Sequence, residues 1–164
     1  MPSMDVYINA VADPDQPEAT FRALATLADE ILDLKQFTMM ASDEARGVAR
    51  RIYTDNPRDY PIGGEKLIPL NIWSEIIFNR NEIFVGNSIE ELAKVFSDWE
   101  LIQSLGLESC LNLPIIIEGK VVGTLNCLSV AGHFTPARIE AVNQLKLPGA
   151  IAFLLAAQKS GLRT

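Results

Sequence analysis

The sequence has few of the residues that build metal centres and disulfide frameworks. Its 164 residues include two cysteines, Cys110 and Cys127, no Cys-x-x-Cys pair and one histidine, His133. Zinc sites need a closely spaced set of cysteine and histidine ligands, so the sequence predicts no metal site. A Ser-His-Asp or a Cys-His-Asp triad would depend on that one histidine. We therefore assign no catalytic residue.

Basic residues are also scarce, and no long apolar run is present. The chain has 14 lysines and arginines against 21 aspartates and glutamates, a net charge of −7. Nucleic-acid surfaces cluster basic side chains, so we expect no nucleic-acid partner. No stretch of about 18 uncharged apolar residues occurs, and residues 1–5 lack a secretory pattern. These absences predict a cytoplasmic protein with no membrane partner.

The composition that remains is typical of one packed domain. Apolar residues make up 48% of the chain, and a chain of this length can bury a core without disulfides or metals. A cluster of helix breakers precedes the first periodic segment. It separates a predicted N-terminal extension, residues 1–15, from a domain at residues 16–158 and a tail at residues 159–164.

Local patterns predict the order of elements in that domain. Apolar spacing predicts a first helix over residues 17–35, with Asp15 and Glu18 as its capping box. The last helix opens at Thr135 and should kink at Pro148, which lacks a backbone N–H. The order fits an α+β fold, in which a central antiparallel sheet has long terminal helices on one face and short helices on the other. The remaining predictions are strands at 37–42, 48–54, 82–85, 109–117 and 120–129, a loop at 56–64, a short helix at 72–79, and two short helices capped by Ser88 with Glu91 and by Ser97 with Glu100.

Two strings in this order resemble the GAF domain family. Leu105 to Ile115 and, after a glycine turn, Val122 to Asn126 are similar to the family's Ser-x-Leu-x-Val-Pro-Leu and Gly-x-x-x-Gly-x-Leu strand pair. Phe134-Thr135 matches the usual opening of the last helix. The resemblance covers roughly residues 16–157. It implies a GAF-like (PAS/profilin-like) fold, with a ligand pocket between the sheet and the short helices.

The whole chain also resembles small stand-alone bacterial GAF-domain proteins. In these, a strand such as Arg50 to Thr54 precedes a Tyr-Pro-x-Gly-Gly loop and then a tryptophan, here Tyr60 to Gly64 and Trp73. The resemblance implies a fold and a pocket but identifies neither a ligand nor a cofactor.

Alternation along the last two predicted strands groups their polar side chains. Residues two apart share a face of a strand, and one face then carries Asn112, Thr124 and Asn126, together with Cys110. Both faces of this sheet should be covered. A buried amide without a partner costs about 1–3 kcal/mol. The grouping therefore predicts a polar cavity, or a ligand that supplies the missing partners.

This grouping depends on the register of the last hairpin. A three-residue turn with Gly119 in the left-handed conformation places Asn112 opposite Thr124. A two-residue turn of Glu118 and Gly119 places Asn112 opposite Leu125 and separates the polar side chains. We favour the first register because it groups polar with polar. It also puts the two thiols on opposite faces, where they cannot form a disulfide.

The opposite wall of the pocket should come from the central helices and the short strand. The aromatic candidates Trp73, Phe84 and Phe96 could instead pack in the core, and Asp98 could cap a helix. The amides of Asn112 and Asn126 could bond local backbone. The Arg50-Arg51 pair is typical of a solvated strand edge, the alternative being that Arg51 reaches a ligand carboxylate. The predicted ligand-binding residues are Trp73, Phe84, Phe96, Asp98, Cys110, Asn112, Thr124 and Asn126.

Together these patterns predict a non-catalytic sensor domain. It would bind a small organic molecule and signal through a partner protein or a homodimer formed by its terminal helices. The alternative is a pocket-thiol redox enzyme of the free methionine-R-sulfoxide reductase type. Those proteins carry active cysteines in their pocket loops, whereas the loop at residues 56–70 has none. A DNA-binding regulator is disfavoured because no recognition helix is present, and a bilin photoreceptor because neither cysteine lies in a Cys-His setting.

Overall fold

The computed structural model describes residues 4–159 of the chain. Six strands form one antiparallel sheet in the order β3-β2-β1-β6-β5-β4, with the terminal helices on one face and the short helices on the other. This is the predicted α+β architecture. The predicted tail lies outside the described residues except for Lys159. The elements are α1 (Met4–Ala12), α2 (Glu18–Leu32), β1 (Gln36–Asp43), β2 (Val48–Thr54), β3 (Gly63–Leu67), α3 (Ile72–Ser74) continued by a π-helical segment (Glu75–Asn79), β4 (Phe84–Gly86), α4 (Ile89–Ala93), α5 (Trp99–Ser104), β5 (Ser109–Ile117), β6 (Lys120–Ser129), α6 (Pro136–Ala141) continued by a 3₁₀ turn (Val142–Leu145), and α7 (Lys146–Lys159).

The core on the side of the terminal helices is built from alternate residues of the central strands. Leu111, Leu113 and Leu125 are fully buried there against α2 and α7. Gly149 allows α7 to approach the sheet closely, since an added Cβ would lie 2.7 Å from Cδ1 of Ile115. The apolar faces of the two strands therefore hold the helices in place.

The N-terminal helix α1 extends this core. Tyr7 is 2% exposed, and its hydroxyl donates a hydrogen bond to the carbonyl of Pro148. The sequence patterns do not predict this helix, because a nine-residue segment is too short to be helical on its own propensity. Packing against α2 and α7 supplies the stabilisation that the local sequence lacks.

The final helix is divided as its proline suggests. Thr135 accepts a hydrogen bond from the N–H of Arg138, and Pro136 occupies the first turn, so the predicted start is confirmed. Pro148 has no N–H for the carbonyl of Gln144, and the preceding turn tightens into a 3₁₀ geometry between α6 and α7.

By length and composition, the segment Pro136–Lys159 could cross a membrane. Such a match is weak evidence, because a core helix of a globular protein passes the same test. Here Val142, Leu145 and Ala152 are buried in the core on the terminal-helix face.

Two predicted capping boxes do not form. Helix α2 begins after Pro17 without a side-chain cap, and Asp15 instead lies 3.1 Å from Arg22 in an ion pair. Helix α5 begins after Asp98, also without a side-chain cap. The predicted cap at Ser88 does form, because its hydroxyl accepts the N–H of Glu91.

Strand β3 lies in part of the predicted loop. Its sequence, Gly-Gly-Glu-Lys-Leu, has little β propensity, and pairing with β2 makes it an edge strand. Arg46 at the end of the β1–β2 turn binds the Glu65 carboxylate at 2.9 and 3.0 Å. Contacts with other parts of the chain, and not local propensity, therefore make this segment a strand.

The turn between β5 and β6 has the two-residue form that we disfavoured. Glu118 and Gly119 have φ values of 53° and 77°, and Ile117 pairs with Lys120. Two successive positive φ angles match the right-handed twist of a hairpin, and glycine adopts the second of them without strain.

A bulge then changes the register along the same hairpin. The pairing shifts between Ile115 and Ile116, so Asn112 lies opposite Asn126 and not opposite Thr124. The predicted register is therefore wrong. The predicted grouping is correct, because the extra residue in β6 returns all three polar side chains to the face covered by the short helices.

Candidate functional site

A cavity of about 340 Å³ lies between the sheet and the helices α3 to α5. This volume falls within the range of about 300–1,000 Å³ that is usual for small-molecule sites. Strands β1, β2, β5 and β6 form its floor, and the short helices and their flanking loops form its roof. Seven of the eight predicted residues line it: Trp73, Phe96, Asp98, Cys110, Asn112, Thr124 and Asn126.

A chain of hydrogen bonds crosses the floor of the cavity. Trp73 donates from Nε1 to Oδ1 of Asn112 over 2.8 Å, and Asn112 donates from Nδ2 to Oδ1 of Asn126 over 2.6 Å. Asn126 in turn donates from Nδ2 to Oγ1 of Thr38 over 3.2 Å. The chain joins the roof helix α3 to three neighbouring strands. The two amides therefore satisfy each other in part, which the alternation pattern does not predict.

This chain leaves hydrogen-bonding capacity unused. Each asparagine amide carries two N–H donors, and each donates one in the chain. Thr124, whose side chain is 2% exposed, adds a hydroxyl to the same floor. The cavity floor can therefore accept a polar group of a ligand without breaking the chain.

Phe84 is the predicted residue that does not line the cavity. It lies on β4 at the edge of the sheet, is 7% exposed, and packs edge-to-face against Phe96 with ring centroids 5.9 Å apart. It pairs with Asn112 across the strands, but Phe96 takes the position next to the cavity. Its role is to support that ring.

The two thiols are separated by the sheet. Cys110 faces the cavity and donates from Sγ to Asn112 Oδ1 at 3.6 Å, while Cys127 packs in the core on the terminal-helix face. Both are unpaired. Burial raises the pKa of Cys110 to about 12 and also raises the pKa of Cys127. Both thiols are therefore protonated at neutral pH and are poor nucleophiles.

Several residues of the cavity were outside the predicted set. Thr38 and Met40 come from β1, and Arg51 and Tyr60 come from β2 and the loop that follows it. Alternation along β1 would have found the first two if the pairing of Thr38 with Asn126 had been known. Nothing local indicates that pairing, because the two residues are far apart in the chain.

Charged groups are few around the cavity. Burial lowers the pKa of Arg51, and burial together with the Asp98 carboxylate raises the pKa of Tyr60. Across the described part of the chain, no group of three or more His, Cys, Asp or Glu side chains is placed to hold a metal ion. The cavity is thus an apolar and amide-lined space with two cations, Arg51 and Lys66, and one carboxylate, Asp98, on its wall.

Comparison with known proteins gives one family and a common fold. The model of the GAF domain family matches residues 16–146. No curated protein matches the chain. Among solved structures, the chain is similar to the GAF domain of a phosphoenolpyruvate-protein phosphotransferase from Coxiella burnetii. The identity is 16% and the TM-score 0.72, over 98% of this chain and 94% of that one.

Two further structures share this fold. The GAF domain of a two-component sensor histidine kinase from Bacillus halodurans is 15% identical, with a TM-score of 0.65 over 98% of this chain and 99% of that one. The chromophore-binding domain of a bacteriophytochrome from R. palustris is 11% identical, with a TM-score of 0.66 over 97% of this chain and 62% of that one. At these identities the likeness shows the fold alone.

Proposed function

Since the chain belongs to the GAF domain family, we propose that it binds a small organic molecule in this cavity and acts as a non-catalytic sensor domain. The observation that carries the proposal is the cavity floor. Asn112 and Asn126 are at most 8% exposed, yet they face an open space and keep unused N–H donors. A packed core would fill such a space with apolar side chains, because empty volume is destabilising.

The roof of the cavity offers a route for a signal. Trp73 binds Asn112 and stands edge-to-face on Phe78 and Phe96, at centroid distances of 6.0 and 6.1 Å. Phe78 belongs to the π-helical segment that continues α3, and such segments are frequent at functional sites. A ligand that contacts Trp73 from the cavity would shift this cluster of rings and favour another arrangement of the roof helices.

The terminal helices offer a surface through which a second copy could receive that signal. Ile8 on α1 is 57% exposed, and Leu147 and Leu154 on α7 are 71% and 54% exposed. The Tyr7–Pro148 hydrogen bond links these two helices. Exposed apolar side chains favour association over solvation. The proposed homodimer uses this surface, and a partner protein with an apolar face is the other candidate.

Thermal denaturation in the presence of a small-molecule extract of cells tests ligand binding. We expect the extract to raise the midpoint of the unmodified protein but not that of the double variant Asn112→Leu, Asn126→Leu. Ile115→Val is the matched control, because it removes one methylene from the opposite face of β5 and leaves the cavity intact. A double variant that still responds, or an unmodified protein that does not, would contradict the proposal.

The redox-enzyme alternative depends on Cys110, which is the thiol that lines the cavity. Its raised pKa opposes nucleophilic attack. Thiol-dependent reduction of free methionine sulfoxide that disappears in Cys110→Ser would favour the enzyme over the sensor.

A further inference from the structure

The Arg51 guanidinium is a half-buried cation that forms no direct ion pair, although the Asp98 carboxylate favours its charged form from a longer distance. Its Nη1 donates to the Pro61 carbonyl at 3.4 Å, a long hydrogen bond, and its Nε is buried with no partner. The five ion pairs within residues 4–159 do not include it. A half-buried charge is unfavourable unless it is paired, and the carboxylate on the same wall, Asp98, acts on this cation only from beyond ion-pair distance.

The Tyr60 hydroxyl is a second donor without a partner, next to the first. The Tyr60 ring lies under the guanidinium, with Cζ of Arg51 4.8 Å from the ring centroid. The side chain is 6% exposed, and its hydroxyl has no hydrogen-bond partner among the described residues. Its raised pKa keeps the hydroxyl protonated. Both residues line the cavity, and each carries one buried donor that has no hydrogen-bond partner among the described residues.

A bulge in the sheet puts Arg51 on the cavity face. Tyr53 packs on the terminal-helix face, where it contacts Phe21 and Phe37, and simple alternation would send Arg51 to the same face. The register between β1 and β2 shifts at Ile52, which leaves Met40 opposite Arg51. Bulges redirect side chains in this way and are common beside functional sites.

We propose that the cavity binds an organic monocarboxylate, with its carboxylate on Arg51 and Tyr60 and its apolar body against the exposed faces that Trp73 and Phe96 turn to the cavity. This inference rests on the proposed function and specifies the ligand class of the same site. A carboxylate matches the planar guanidinium and accepts from both donors. The aromatic side chains of the roof supply apolar contact area for the rest of the molecule.

Asp98 limits the charge of the ligand. Its carboxylate lines the same cavity, raises the pKa of Tyr60 and has no side-chain hydrogen bond at its helix start. A dianion such as a phosphate monoester would place a second negative charge near it, and like charges in a poorly hydrated space repel strongly. Arg51 and Lys66 against Asp98 leave the lining with one net positive charge, which a single negative charge on the ligand balances.

Isothermal titration of the full chain tests the inference with three defined probes. The probes are hexanoate, 3-phenylpropionate and indole-3-acetate, each compared with its own carboxamide. We expect at least one acid to bind with one-to-one saturation and its amide to bind at least about tenfold more weakly, the effect of one charge-assisted hydrogen bond.

Arg51→Met should remove the preference for the acid, and Tyr60→Phe should weaken acid binding. Failure of all three acids, equal binding of acid and amide, or a preference that survives in Arg51→Met would overturn the inference.

Stability without any ligand gives an independent readout. Arg51→Met keeps most of the side-chain volume and removes the unpaired charge, so we expect its thermal midpoint to equal or exceed that of the unmodified protein. Arg50→Met, on the exposed neighbour, is the matched control and should leave the midpoint unchanged. A lower midpoint, or an unfolded Arg51→Met protein, would show that Arg51 has a structural role and would overturn the inference.

Native mass spectrometry separates this inference from the proposed function. Retention of an acid that is lost in Arg51→Met supports both. Retention of an uncharged molecule in both proteins overturns the monocarboxylate and leaves the sensor proposal standing. No retained molecule, together with no response to the cell extract, contradicts both.

Discussion

Asn112 and Asn126 face each other across the β5–β6 pair, with 2.6 Å between Nδ2 of the first and Oδ1 of the second. Their contact is the centre of a hydrogen-bond chain that begins at Trp73 and ends at Thr38. One amide therefore binds the roof of the cavity and the other binds the middle of the sheet. Removing either amide therefore also leaves polar atoms of its neighbours in the chain without a hydrogen-bond partner.

The first prediction is a difference between single and double variants of this pair. Asn112→Leu leaves Trp73 and Asn126 with unpaired polar atoms, so it should lower the free energy of unfolding by about 1–3 kcal/mol. The double variant Asn112→Leu, Asn126→Leu removes both amides and should lose less than the sum of the two single variants. Urea denaturation measures each free energy, and strictly additive losses would show that the two side chains do not interact.

The second prediction concerns pH. The pKa of Cys110 is raised from 9.0 to about 12, and that of Cys127 is also raised, in both cases by burial. Above about pH 9 the unfolded chain loses these protons while the folded chain keeps them, so stability falls as pH rises. Each thiol should contribute a slope of about 1.4 kcal/mol per pH unit.

Urea denaturation between about pH 10 and pH 11, where the unfolded thiols are almost fully ionised, measures that slope. Cys110→Ala should reduce it by about one thiol's share, 1.4 kcal/mol per pH unit. A free energy of unfolding that stays constant over this interval would mean that the thiols are more accessible to water than the structure places them.

The third prediction concerns the close contact of α7 with the sheet. A Cβ on Gly123 would collide with the backbone carbonyl of Met40 and lie 2.5 Å from the ring of Phe153. Since the carbonyl belongs to the neighbouring strand, it cannot move aside. Gly123→Ala should therefore reduce the free energy of unfolding by about 3 kcal/mol, the upper end for overpacked cores.

Gly119→Ala is the control for this effect. Its Cβ would meet no atom within 4 Å, although its φ of 77° disfavours alanine. That strain costs about 1 kcal/mol. Urea denaturation measures the free energy of unfolding of both variants. Equal losses would mean that the backbone of the sheet shifts at Gly123 to make room for the Cβ.

The fourth prediction tests the proposed homodimer. Light scattering should give twice the chain mass of 18.0 kDa, because the exposed apolar side chains of α1 and α7 gain from mutual burial. Leu147→Glu with Leu154→Glu should restore the single-chain mass. Leu70→Glu, at a 99% exposed position outside these helices, is the control and should leave the mass doubled. A single-chain mass for the unmodified protein at micromolar concentration would end the dimer proposal.

Much of the fold could be predicted because its signals are local. Strand β2 and the pair β5 and β6 have the predicted bounds, since their alternation and turn residues lie within each segment. Helix α1 and strand β3 could not be predicted. Both are short, and both are stabilised by residues distant in the chain, Pro148 for the helix and Arg46 for the strand.

Part of the candidate site could also be predicted, because some of its signals are local in the sequence. Asn112, Thr124 and Asn126 share a face because alternation places them there and a bulge preserves the grouping. Phe84 was assigned to the cavity wall because aromatic character indicates burial but not the layer in which a ring lies. Tyr60 was missed because its loop motif carries no information on what its hydroxyl meets.

The sequence by itself determined that this chain forms a GAF domain with an amide-bearing sheet face. The reason is that the hydrophobic periodicity, the turn residues and the sequence motifs of the family are all properties of the linear sequence. Only the tertiary structure decided which strands pair, where the bulges fall, and that Arg51 and Tyr60 lie together with buried donors that have no hydrogen-bond partner. The physical reason is that a one-residue shift of register reverses the direction of a side chain. That shift depends on packing between segments far apart in the chain.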